Sequence, residues 1–300
     1  MSSDNTEPAF RATLVAGLVA GGLGAGATAA ATLAGLASGS AIAPVAIALA
    51  CLVGIGHHWK TQLARMLKEQ SRMSRQRFAE LEDKLAETQG LVQLGNVAPP
   101  FPLPFGGDYA LTADAAAVLA RQVILLHPRV VLELGSGVST VLVAGLLQKL
   151  GAGRVISLEH DSAWAAETRK QIHAAGLDDH ATVVDAPLCK QSLDGQPYLW
   201  YDIAMVPSDV GPVDLVVVDG PPQRIDPQGL PRYPALPKLL PQLSERAELF
   251  VDDYKRAPEQ EMVRLWLERF PGWQARTVDT VPGTCLLSRV PTVKGAGAEG

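Results

Sequence analysis

VVLELGSGVST, residues 130–140, is the stretch whose reading decides the fold. A short apolar run carries one acid, Glu133, and breaks into Gly135-Ser136-Gly137, with Val138-Ser139-Thr140 behind it. The run reads as a buried strand and the glycines as a turn into a helix. Three uses of such a turn stand open. It can cradle the pyrophosphate of a dinucleotide, hold a cofactor without phosphate, or simply join a strand to a helix.

Working outward, strand and helix patterns alternate over 108–290. Strands are expected at Val130–Leu134, Val155–Glu159, Ala181–Val184, Leu215–Asp219 and Leu249–Asp252, with a closing pair near Trp273–Val278 and Thr284–Arg289. Helical patterns between most of them make this an α/β chain with a doubly wound, mostly parallel sheet of seven strands. Ligands in such sheets bind at the carboxyl ends of the strands near the switch point, where the turn after the first strand sits.

The first hundred residues have a different character. A tail (1–11) precedes a stretch from 12 to 56 without a charged residue. Its first apolar run is long enough to span a bilayer, the second is marginal, and Ser38-Gly39-Ser40 with Pro44 supplies a turn. A two-helix membrane hairpin over 12–56 is therefore expected. Lys60, Arg65, Lys68, Arg72, Arg75 and Arg77 follow against a single acid, Glu69. By the positive-inside rule the domain beyond them is expected on the cytoplasmic side, of a bacterial inner membrane if the hairpin inserts and otherwise simply in the cytoplasm. Leu63, Leu67, Phe78, Leu81, Leu85 and Val92 keep three-four spacing, so 57–94 reads as an amphipathic helix. A coiled coil through 59–92 would make a homo-oligomer; a solvated stalk fits the same periodicity. GNVAPPFPLPFGG (95–107) is a stiff linker, and 291–300 a flexible tail.

A net charge of −5 over 300 residues, without a basic stripe, argues against nucleic acid as a partner. Cys51, Cys189 and Cys285 are few, scattered and odd in number, which suits reduced thiols rather than a disulfide framework or a zinc site.

A dinucleotide turn normally completes GxGxxG, yet the third glycine position holds Thr140, and Glu133 would repel a pyrophosphate. S-adenosylmethionine carries an ammonium and a sulfonium and no phosphate, so an acid at 133 suits it. The second strand ends at Glu159, placed for a ribose diol, and the third at Asp185, placed for an adenine amino group.

With ELGSG (133–137), LEHD (158–161) and VVDAP (183–187) in order at successive strand ends, the chain resembles the class I S-adenosylmethionine-dependent methyltransferases. The resemblance implies that Glu133, Gly135 and Gly137 line the methionine moiety, Glu159 the ribose and Asp185 the adenine. Ser136, Ser139, Thr140, His160, Ala186 and Asp219 complete the cofactor set.

DLVVVDGPPQR ends the fourth strand at Asp219, and AELFVDDYKR ends the fifth at Asp252-Asp253. This looks like the metal-dependent O-methyltransferases of the catechol and macrocin type, which implies that Asp219, Asp252 and Asp253 hold Mg²⁺ against the acceptor hydroxyl. Carboxylates that only cap loops are the alternative. The catechol enzymes place a lysine base after the first metal acid, whereas Gly220-Pro221-Pro222 follows here. Asp219, Lys255 and His160 are the candidate catalytic groups. The acceptor is read as a hydroxyl of a small molecule or glycan, since the Asn/Asp-Pro-Pro-aromatic pattern of nucleic-acid amine enzymes is absent.

The connections 191–212 and 221–237 approach the same rim, and Tyr198, Trp200, Tyr201, Arg224, Arg232 and Tyr233 are candidates for an acceptor pocket, Trp200 rather for packing. His127 is read as structural at the opposite sheet end, and Trp164 and Trp266 as core. Two other functions stand beside a membrane-tethered O-methyltransferase: a membrane-anchored scaffold with an inactive domain, and an NAD-dependent enzyme, which Glu133 and Thr140 disfavour.

Overall fold

The computed structural model describes residues 42–95, 103, 111–207, 210–226 and 229–290, with side chains from residue 48. In chain order the elements are α1 (Ile42–Gly95), α2 (Ala113–Leu126), β1 (Val130–Leu134), α3 (Val138–Leu150), β2 (Arg154–Glu159), α4 (Ser162–Ala174), β3 (Ala181–Asp185), β4 (Leu188–Leu193), β5 (Gln196–Tyr201), β6 (Val213–Val218), α5 (Ala235–Leu239), β7 (Leu243–Val251), α6 (Ala257–Arg269), β8 (Trp273–Val278) and β9 (Thr284–Arg289).

Seven strands form one sheet in the order β3-β2-β1-β6-β7-β9-β8. The first five are mutually parallel, and β9 runs antiparallel to both β7 and β8. The chain winds outward from β1 to β3, then returns to β6 on the other side of β1. That reversal puts the switch point between β1 and β6, with the glycine turn at its carboxyl end.

The central strands are buried on both faces, which is why VVLEL and VDLVVV read as nearly unbroken apolar runs. Alternation along each strand feeds two cores. Val131, Val155, Leu215, Val217 and Phe250 pack under α2, α3 and α4. Leu132, Leu134, Ile156, Val216 and Val251 pack with Trp200, Tyr201, Leu236, Met262 and Trp266 on the other face. The fold is thus the expected doubly wound, Rossmann-like, mostly parallel sheet of seven strands.

An unforeseen element is the antiparallel hairpin β4–β5, inside a stretch expected to be a connection. Its turn is Asp194-Gly195, both at positive φ. An Asp-Gly pair is the residue choice that two-residue hairpins favour, so the signal was present in LDGQ. Trp266 is core as expected, but Trp164 is 48% exposed on α4. His127 is a helix cap at the opposite sheet end.

The N-terminal expectations fare differently. The first arm of the hairpin lies outside the described residues. The second is no separate arm: α1 runs unbroken through residues 42–95, with no boundary at 56. No helix among the described residues is long and apolar enough to cross a membrane. Two compact units divide at Ala79/Glu80. Within the second, Gly90 and Leu94 are buried, and Leu94 joins the core with α2. Leu63, Leu67, Phe78, Leu81, Leu85 and Val92 are exposed on the described single chain. The linker 95–107 lies almost wholly outside the described residues; Leu103, within it, packs on the core.

Candidate functional site

Main-chain bonds draw the strand ends together. The Gly135 amide donates to Leu158 O at 2.9 Å, Asp219 N to Leu134 O at 3.2 Å, Ala186 N to Glu159 O at 2.7 Å and Asp252 N to Val218 O at 3.1 Å. The expected residues at 133–140, 159–160, 219 and 252–253 therefore border one rim, as strand order alone would place them.

Gly135 sits at φ 98°, a left-handed conformation that strains any residue with a Cβ. Ser136 and Gly137 then lead into α3. The Gly137 amide donates to Thr140 Oγ1 at 3.0 Å, and Thr140 Oγ1 donates to Glu133 Oε2 at 2.5 Å. Glu133 shares the parity of Val131 and faces α3, fully buried beneath the turn. Expected to line the methionine moiety, it is here buried and braces the turn through Thr140. Burial pushes its carboxyl up to about 7, against the opposing pull of the Ser139, Thr140 and Ser157 hydroxyls.

Glu159 is also occupied. Its Oε2 accepts from Ser136 N at 2.8 Å and Ser136 Oγ at 3.3 Å, its Oε1 accepts from Asp161 N at 2.9 Å, and His160 Nδ1 lies 2.9 Å from Oε1. Burial raises its carboxyl, but His160 and the two amides outweigh burial and the net shift is downward. Asp185 does not join this group. It is exposed and held by the Arg169 guanidinium at 2.7 Å. Ala186 is buried beside the Glu159 main chain. Ser139 is buried in the first turn of α3.

Tyr201, a candidate for the acceptor pocket, is sealed in the core. The hairpin β4–β5 buries its ring completely, its hydroxyl makes no hydrogen bond, and a Cβ on Gly220 would collide with that hydroxyl. His160 meets the Tyr201 ring edge-on with centroids 6.2 Å apart. Tyr201 thus lies against Gly220, the residue after Asp219, and burial drives its phenol far above the usual range. Trp200 packs in the core, as expected. Tyr198 stacks on Tyr233 at 5.7 Å.

Asp219, Asp252 and Asp253 do come together, each offering one oxygen within 4.8 Å of the others. Arg232, offered above as an acceptor contact, lies among them instead. It is 4% exposed, with Nη2 3.4 Å from Asp219 Oδ1 and 3.1 Å from Asp253 Oδ2. Its Nη1 lies 3.8 Å from Glu259 Oε1 and donates to Asp252 O at 3.4 Å; Nε donates to Pro221 O at 3.4 Å. Arg256 Nη1 meets Asp253 Oδ2 at 2.7 Å. Burial pushes the Asp219 carboxyl up to about 7, with Arg232 opposing. Asp252 is likewise raised well above the usual carboxylate range by burial and the neighbouring acids. Lys255, the candidate base, is turned out of this cluster and paired with Asp279 at 3.1 Å.

Residues 132–254 match a family model described as a methyltransferase domain. A search of curated proteins gives no match. Among solved structures, the chain is similar to the O-methyltransferase TomG of Streptomyces achromogenes, involved in tomaymycin synthesis and solved with S-adenosylmethionine. Identity is 19%, TM-score 0.46, coverage 69% of this chain and 90% of that one. It is likewise similar to an O-methyltransferase from Bacillus cereus in complex with S-adenosylhomocysteine (17%, TM-score 0.43, 69% and 90%). A third is the S-adenosylhomocysteine-bound methyltransferase PaMTH1 of Podospora anserina (15%, TM-score 0.47, 69% and 88%).

Proposed function

We propose, from the methyltransferase-domain match over residues 132–254, that the chain is an S-adenosylmethionine-dependent O-methyltransferase acting on a hydroxyl of a small molecule or glycan. The observation that carries this reading is the rim itself. Glu133 braces a left-handed glycine turn, Glu159 ends the neighbouring strand, and Asp219 stands across the switch point. The donor set fits a cationic cofactor without phosphate: acids surround the turn, and the arginines of the rim are committed to Asp219 and Asp253. When bound, S-adenosylmethionine supplies an electrophilic methyl group on a sulfonium.

The residues do the rest. Gly135 and the Ser136 amide shape the cradle, Glu159 fixes that amide, and Thr140 fixes the start of α3. Asp219, a quarter exposed where Glu133 is sealed, is the group placed to take the acceptor's hydroxyl proton as its oxygen is alkylated. Glu159 already accepts nearly as many bonds as a carboxylate offers, so a ribose diol must displace the Ser136 hydroxyl or His160 from it.

Isothermal calorimetry of the full chain with S-adenosylmethionine and S-adenosylhomocysteine tests the reading. Binding of both is expected. A folded protein that binds neither at high micromolar concentration sinks it.

A further inference from the structure

We propose that Arg232 is the resident cation of the Asp219–Asp252–Asp253 cluster, standing where a divalent metal would bridge these acids, so that the chain positions its acceptor without a metal. This rests on the methyl-transfer reading for its catalytic meaning, but not for its geometry.

The spacing of the three carboxylates suits a small hard cation. The place already holds one. The Arg232 guanidinium reaches two of the three acids by its Nη2 and the main chain of the third by its Nη1, while Nε is taken by Pro221 O. A guanidinium stays charged throughout the working pH range, so it cannot yield the position by losing a proton. A divalent ion would have to sit within a few ångströms of that charge, and the Arg256 guanidinium on Asp253 Oδ2 adds a second repulsion.

Arg232 is also hard to move aside. Ala235 N donates to Arg232 O at 3.1 Å, and Tyr233 N to Leu230 O at 3.0 Å. The next residue is pinned from two sides: Trp266 Nε1 donates to Tyr233 O at 2.8 Å, and Tyr198 stacks on the Tyr233 ring. Glu259, 2% exposed, closes the far side of the guanidinium. Two buried oxygens, Asp252 Oδ1 and Glu259 Oε2, make no hydrogen bond. With the arginine removed, the three aspartates are left to a metal, which makes the idea directly testable.

The full chain is titrated with Mn²⁺ and followed by electron paramagnetic resonance, as wild type, Arg232→Gln and Asp252→Asn. Wild type is expected to show no saturable binding up to about 1 mM, the weak end for carboxylate sites, and no change in melting temperature with EDTA or Mg²⁺. Arg232→Gln is expected to bind one Mn²⁺ on the order of a hundredfold more tightly and to melt higher with it, since a repelling charge has been removed. One Mn²⁺ held by wild type and lost in Asp252→Asn overturns the proposal. So does a folded Arg232→Gln that binds none. If Arg232→Gln folds only with Mn²⁺ present, the metal has replaced the arginine and the proposal stands; if it folds under no condition, the wild-type titration decides alone. S-adenosylhomocysteine calorimetry on the same samples reads the methyl-transfer assignment separately, so either can fail without the other.

Discussion

The Thr140 hydroxyl donates to the fully buried Glu133 while accepting the amide of Gly137, at the position where a dinucleotide turn would carry its third glycine. The side chain that excludes one cofactor class from the sequence is therefore the clip that holds the turn closed. Thr140→Val keeps the shape and removes the hydroxyl. It is expected to destabilise the fold by about 1–3 kcal/mol, the cost of leaving the Gly137 amide unpaired and the buried acid short of one hydroxyl. Thr140→Ser should recover most of this. Chemical denaturation of the three proteins checks it, and equal stabilities would show that the clip contributes nothing.

Glu133 gives a pH signature of defined sign. Burial lifts its folded-state pKa to about 7, above the ordinary glutamate value of 4.5. The folded protein holds the proton that the unfolded chain releases, so this stabilisation is full below about 4.5 and is lost as pH rises through 7. Glu133→Gln removes that dependence. Relative to wild type it should gain stability between pH 5 and 8, by at most roughly 3 kcal/mol from the size of the shift. Parallel stability profiles for the two proteins would contradict the assignment of a buried, proton-holding acid.

Tyr201 and Gly220 form a steric pair. A methyl group on Gly220 meets the Tyr201 hydroxyl, which has no hydrogen-bond partner. Gly220→Ala is expected to cost roughly 1–3 kcal/mol as an overpacking change. Tyr201→Phe should be neutral or slightly stabilising, because it deletes an unsatisfied buried hydroxyl. The double variant should recover part of the Gly220→Ala loss, a coupling of about 0.5 kcal/mol or more in a double-mutant cycle. Strict additivity would remove the contact.

Asp219→Asn retains size and loses the proton-accepting charge. Methyl transfer should fall by about 10²–10⁴, the usual scale for a general base, with S-adenosylhomocysteine affinity changed far less. Calorimetry and turnover on one preparation separate the two. Lys255→Ala, by contrast, should leave turnover near wild type, because its ammonium is paired with Asp279.

Much of this was legible along the chain. The strands at Val130–Leu134 and Thr284–Arg289 lie where apolar pattern places them, because strands buried on both faces can hold little else. The strand at Trp273–Val278 also lies where expected, although most of its residues face water. The β4–β5 hairpin was missed although Asp194-Gly195 announces it; its strands alternate weakly and only two of their residues, Trp200 and Tyr201, are buried. At the N-terminus, hydropathy pointed to a hairpin, and the described part of it is one continuous helix.

Within the site, local spacing placed Glu133, Gly135, Glu159 and the three aspartates on one rim, since parallel strands end together. Where their side chains point was not local information. Thr140 turns Glu133 inward, Arg169 draws Asp185 outward, and Asp279 takes Lys255 away.

The sequence by itself determined the sheet, the glycine turn and the acids at its rim, because period and turn chemistry are properties of neighbouring residues. Only the tertiary structure decided what neutralises those acids. Arg232 reaches Asp219 from thirteen residues away and Asp253 from twenty-one, through a connection with no periodic pattern. A buried charge is settled by whichever partner the fold brings within a few ångströms, and VVLELGSGVST carries no record of that partner.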